Sequence, residues 1–139
     1  MTSINVDFIT PRNSTSVTIA KANVVPNITS LTFYNTPSAV TATLDCQHVG
    51  HIYTICVPEM LFTGTAAALT SAVMTTLPVP TALCRWPIVY TKVSTGVKYI
   101  GGATVTLSQQ LVFNQDIDAG TFDAATAYTI HACVLQYYV

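Results

Sequence analysis

Side chains that could do chemistry gather in three places along this chain. Cys46, His48 and His51 lie close together. At strand spacing Cys46 and His48 share a face and would make half of a metal or thiolate site, whereas His48 and His51, three apart, point to opposite faces. Asp116, Asp118 and Asp123 gather in Asn114-Gln-Asp-Ile-Asp-Ala-Gly-Thr-Phe-Asp, which looks superficially like a calcium loop. Its glycine is out of place for an EF-hand, no bidentate Glu follows and no helices flank it, so a solvated loop is expected. Arg85 stands beside Trp86, which allows either a structural cation stacked on an aromatic ring or a ligand contact, and the structural reading is preferred.

Catalysis needs a nucleophile, a base and an orienting group, and the raw material is three histidines, six carboxylates and four thiols. No glycine-rich phosphate loop, nucleophile elbow or HExxH is present. The sequence therefore predicts no enzyme and assigns no catalytic, cofactor-binding or metal-ligating residue. Cys46, Cys56, Cys84 and Cys133 are separated by 10, 28 and 49 residues, which matches no zinc pattern. They are expected as buried thiols acting as small apolar groups. Asn13-Ser-Thr and Asn27-Ile-Thr are formal glycosylation sequons that carry little weight in so Thr-rich a chain.

The elements that must position these groups are set by an unusual composition. Of 139 residues, 50 % are apolar and 8 % charged, with a net charge of −1. That excludes a disordered chain or a charged tail, and it leaves no basic footprint for nucleic acid. So little charge on a small protein predicts that much of its surface is hidden against other subunits. The 23 threonines are stiff at χ1 and suit a pleated surface. Residues 60–84 carry no formal charge, but Gly64, Pro78, Pro80 and six threonines interrupt them, so membrane insertion is not expected. Met1 to Asp7 offer neither a basic stretch nor a long apolar one, so export by the usual signal is not expected either.

Alternation of apolar and polar residues predicts about ten short strands: 4–9, 15–20, 30–34, 40–46, 51–57, 69–76, 87–93, 97–107, 110–114 and 127–138. The fold class expected is all-β, an antiparallel two-sheet jelly-roll sandwich. Ser94-Thr95-Gly96 reads as a hairpin turn, and Gly101-Gly102 inside a strand as a bulge or a close backbone approach. Leu77-Pro78-Val79-Pro80 reads as a rigid extended crossing between sheets. The last strand has apolar residues on both faces, so a neighbouring subunit is expected to cover one of them. Tyr128, Ile130, Val134, Leu135, Tyr137 and Tyr138 are the candidate interface residues.

From Cys46 onward the order of features becomes specific: Cys46-Gln-His-Val-Gly-His-Ile-Tyr-Thr-Ile-Cys-Val-Pro, then Thr75-Thr76-Leu77-Pro78, then Arg85-Trp86-Pro87-Ile88-Val89-Tyr90, then Gly101-Gly102-Ala103-Thr104-Val105, then Ala127-Tyr128 to Tyr138. This order resembles the trimeric jelly-roll heads of viral and phage fibre proteins, which share a fold with complement globular heads and the tumour necrosis factor family. Its motifs are short, and Trp86 between Arg85 and Pro87 departs from the pattern. The resemblance implies a homotrimer on a virion surface: a minor capsid, decoration or fibre-head protein that contacts other capsid proteins or a host surface molecule. Residues 1–36 would be an N-terminal extension, of added strands or an assembly arm, before a jelly-roll domain over 37–139. Loops 61–68 and 114–125 would be free for partners. The alternative is a soluble, extracellular, complement-like carbohydrate- or protein-binding module, which would call for disulfides.

Overall fold

The computed structural model describes residues 23–24 and 27–139, so the strands expected at 4–9 and 15–20 lie outside the described residues. Eleven strands follow in chain order: β1 (Asn23–Val24), β2 (Ile28–Tyr34), β3 (Val40–Val49), β4 (Ile52–Val57), β5 (Met60–Thr63), β6 (Leu69–Ser71), β7 (Arg85–Lys92), β8 (Val97–Val105), β9 (Leu111–Asn114), β10 (Ala127–Ile130) and β11 (Cys133–Tyr138). Alternation explains most of them. Ala42, Leu44 and Cys46 of β3 are buried while Thr41, Thr43, Asp45 and Gln47 are exposed, the period-2 pattern of a strand with one wet face.

The strands form one antiparallel path, β11-β4-β3-β2-β6-β9-β8-β7-β10-β5, with β1 paired to β3 off the path. This is a single curled sheet, whereas the sequence predicted two separate ones. β3 lets the path turn: Val40 to Leu44 pair with β2 while Asp45 to Val49 pair with β4. A long strand that serves different neighbours at its two ends is how a sheet bends around a core. The bulge in β2, where Ser30 takes φ 54°, falls beside this turn and sharpens it.

A second bend is built by a ribbon that the sequence disguises. β4 pairs with β11 and β5 with β10, and the breaks at Pro58-Glu59 and His131-Ala132 fall at the same level in one unchanged register. Buried residues change parity there on both strands: Tyr53, Ile55 and Val57 give way to Met60 and Phe62, and Tyr128 and Ile130 give way to Leu135 and Tyr137. The segment 127–138 is therefore two strands of opposite phase. That corrects the reading of one strand with two apolar faces: each half has its own single inward face.

Other expectations shift for local reasons. The strand expected over 69–76 stops at Ser71, whose buried hydroxyl accepts the backbone N–H of Leu111 and donates to the carbonyl of Ala72, taking over ladder positions. Residues 61–63, expected in a free loop, belong to β5, which pairs with β10. In the other expected loop, Phe122 is fully buried and bridges Ala67. Pro87 sits inside β7 where only β8 faces it, since β10 reaches no further than Tyr90, so its missing N–H costs no ladder bond.

The glycine reading holds in its second form. β7 and β8 keep one register throughout, with no bulge. A Cβ on Gly102 would stand 2.5 Å from the carbonyl oxygen of Ile117, so the loop after β9 lies directly on the strand. Gly96 closes the β7–β8 turn at φ +67°, its N–H donating to Lys92 at 2.9 Å. The Leu77–Pro80 crossing buries Leu77 and runs along β11: Tyr137 donates its hydroxyl to the Pro78 carbonyl at 3.0 Å, and the N–H of Thr81 reaches the Tyr138 carbonyl at 2.9 Å. These bonds cover part of the edge of β11 that no other described strand pairs with.

Aromatic packing ties the bend together. Phe62, Tyr90, Phe122 and Tyr128 meet with ring centroids 4.8–5.7 Å apart, joining β5, β7, β10 and the loop before β10. Burying each ring contributes about 1.5–3 kcal/mol, so this cluster anchors the bend.

Candidate functional site

Of the candidates read from the sequence, Cys46 and His48 share the inner face of β3 as expected, and the others come apart in space. Cys46 is buried on the inner side of β3, and His48 beside it leans on Tyr53 with ring centroids 5.8 Å apart. His51 lies in the exposed β3–β4 turn. Among the described residues no three His, Cys, Asp or Glu side chains converge as metal ligands would. The aspartates separate as well. Asp123 accepts the Tyr128 hydroxyl at 2.8 Å and pairs with Lys92 at 3.4 Å, while Asp116 turns toward Gly120. Trp86 donates its ring N–H to the Gln136 carbonyl at 3.1 Å and leans on Tyr137, a strut between β7 and β11. Arg85 is exposed.

The four cysteines are free thiols; Cys46 is buried and Cys56, Cys84 and Cys133 are half-buried. Burial pushes the Cys133 thiol up to about 11, with the neighbouring Cys56 adding to the shift, and raises Cys46 too. Both are protonated at neutral pH and poor nucleophiles.

The interface candidates divide. Tyr128, Ile130, Leu135 and Tyr137 are buried in the protomer's own core, which withdraws those four side chains from any contact between copies. Val134 and Tyr138 are 58 % and 64 % exposed. The division follows from the phase change at His131-Ala132.

Two outer faces carry what remains. On the first, Thr91 Oγ1 lies 2.7 Å from His131 Nε2, and His131 Nδ1 lies 3.3 Å from Glu59 Oε2. Hydroxyl, imidazole and carboxylate in line is the order of a nucleophilic relay. Acyl transfer also needs shelter from water and converging oxyanion donors, yet the Glu59 side chain is 63 % exposed on an open sheet surface. The line instead clasps the ribbon corner, joining β7 to both breaks. Beside it Val89 pairs with Ile100 and Val93 stands at the hairpin turn, all three exposed, while Val97, opposite Lys92, lies on the other face of the hairpin.

The second face is the outer side of β3, β4 and β11, where register stacks side chains into rows. Asp45, Cys56 and Val134 form one row, Gln47, Thr54 and Gln136 the next, and Val49, Ile52 and Tyr138 the last. Gln136 Nε2 donates to Thr54 Oγ1 at 3.2 Å. A shallow depression of ≈ 270 Å³ is lined by Asp45, Gln47, Thr54 and Cys56 among others, and a second of ≈ 200 Å³ by Ile52, Gln136, Tyr137 and Tyr138. Residue types alone gave no sign of this face or of the Thr91–His131–Glu59 line, because Glu59 and His131 are 72 positions apart. What the sequence did hold was the outward parity of each residue in its own strand.

With the geometry in hand, the fold finds a counterpart. The chain is similar in structure to the reovirus attachment protein sigma1, solved in complex with alpha-2,3-sialyllactose, at a TM-score of 0.51 and 12 % identity. The likeness covers 81 % of this chain but 63 % of that one, so the chain spans less than two thirds of its neighbour's length. A β-rich viral attachment protein thus shares this backbone course, in keeping with the resemblance to viral fibre proteins read from the sequence. Neither a family model nor a curated protein matches the sequence. No helix among the described residues is long and apolar enough to cross a membrane.

Proposed function

We propose that this chain is a structural protein of a virion surface: a minor capsid, decoration or fibre-head protein that assembles as a homotrimer and attaches the particle to a partner. The observation that supports it most is the fold shared with a viral attachment protein over 81 % of the chain. Packing of the curled sheet as a jelly roll of the tumour-necrosis-factor kind belongs to the same reading. The role is mechanical, without catalysis.

The contact between copies is assigned to the β7–β8 hairpin, since four of the six interface residues expected from the sequence are core. Val89, Val93 and Ile100 are 43–67 % exposed on one face of the β7–β8 hairpin, in a chain with 8 % charged residues. Apolar side chains gathered this way on so uncharged a surface fit a subunit contact. The complement-like alternative called for disulfides, and four free thiols do not favour it.

Light scattering of the purified full chain tests the assembly. The expected mass is about 45 kDa, three times the 14.9 kDa protomer. A stable species of 14.9 kDa at micromolar concentration would overturn the trimer.

A further inference from the structure

We propose that the outer face of β3, β4 and β11 binds a neutral saccharide, with its polar row holding hydroxyl groups and Tyr138 stacking on the sugar ring. This deepens the attachment reading by naming the class of molecule recognised, and it rests on that reading.

The face is divided as a pyranose is divided. A pyranose has one apolar C–H face and a rim of adjacent hydroxyls that each donate and accept. Tyr138 at 64 % exposure and Ile52 at 39 % supply a flat apolar end, where an aromatic ring left in water gains by covering a C–H surface. Next to them stand Gln47, Thr54 and Gln136, three side chains that both donate and accept. The Gln136–Thr54 bond fixes the amide orientation, leaving Gln136 Oε1 free to accept and the Thr54 hydroxyl proton free to donate. The Asp45 carboxylate, beyond them, accepts two hydrogen bonds side by side, as a pair of neighbouring hydroxyls requires. The shallow depressions at the two ends of this row give a bound ring its seat. The side chains stand on three hydrogen-bonded strands, so little ordering is left for binding to impose.

Charge decides between sugar classes. Asp45 is the one charged side chain in the nine positions of the grid, and it is negative. Among the described residues of this face an acidic sugar would meet like charge and no cation, whereas a neutral one would use Asp45 as an acceptor. The face therefore differs in preference from the ligand named for the reovirus neighbour, alpha-2,3-sialyllactose.

The test is an array of immobilised neutral and sialylated oligosaccharides probed with the full chain, with Gln136→Ala and Tyr138→Ala alongside. The expected result is binding to neutral members, weakened roughly ten-fold or more by each substitution, with mass in solution and melting temperature unchanged. Binding to no member, binding confined to sialylated members, or binding that survives both substitutions overturns the proposal. An assembly of three copies that binds no saccharide would retain the virion-protein reading while this inference fails, so the two failures are separable.

Discussion

Tyr128 shows how much a single residue is asked to hold. Its ring lies in the aromatic cluster and its hydroxyl donates to Asp123, so burial first and the hydrogen bond second push its pKa up to about 12. Asp123 is correspondingly lowered, chiefly by the Tyr128 bond and then by Lys92. A raised folded pKa means that Tyr128 contributes its full stabilisation below the ordinary tyrosine value of 10.0 and loses it as pH climbs toward about 12. Tyr53 and Tyr137, also raised chiefly by burial, act in the same direction. Urea unfolding followed across pH 8 to 11 should therefore show stability falling from about pH 9, where the raised Cys46 and Cys133 thiols begin to lose their stabilisation, and more steeply above about pH 10, with a shallower fall there for Tyr128→Phe. A profile that stays flat to the alkaline end would contradict the burial of these hydroxyls. At this scale the close approach at Gly101-Gly102 was legible from glycine's chemistry alone, while the Tyr128–Asp123 bond depends on where a loop returns.

Strands were legible wherever alternation was clean, as in β3, β4 and the β7–β8 hairpin. The segment from Ala127 to Tyr138 was not, because two strands of opposite parity, joined by two residues, look like one strand that is apolar on both sides. Adjacent residues of β11 separate the two descriptions. Leu135 is fully buried and Val134 is 58 % exposed. An aspartate at Leu135 would be an uncompensated buried charge, costing about 3–5 kcal/mol, a large share of a small domain's whole stability. Leu135→Asp should abolish the cooperative thermal transition seen by circular dichroism. Val134→Asp should shift it little, within roughly 0.5 kcal/mol as for other surface positions. Equal losses at both positions would mean that β11 is covered on both faces after all.

For the whole molecule the issue is where the apolar surface goes. The core takes one face of a sheet that turns twice, at β3 and at the paired breaks of the β4–β5 and β10–β11 ribbon, and the β7–β8 hairpin keeps an exposed apolar row. Ile100→Asp, at a position 67 % exposed, should leave folding intact and reduce the assembled mass to that of the protomer in sedimentation velocity. Leu107→Asp, 62 % exposed beyond the end of β8, should leave the assembly as it was. If both variants sediment like the parent, the hairpin is not the contact. Composition and alternation by themselves determined an all-β antiparallel protein, because that follows from residue types and a period of two. The partners of each strand, the reversal of phase at His131-Ala132, and the gathering of Gln47, Thr54 and Gln136 into one row were decided only by the tertiary structure. Register between strands far apart in the chain is set by how the whole sheet closes over its core, and no local stretch of sequence carries that information.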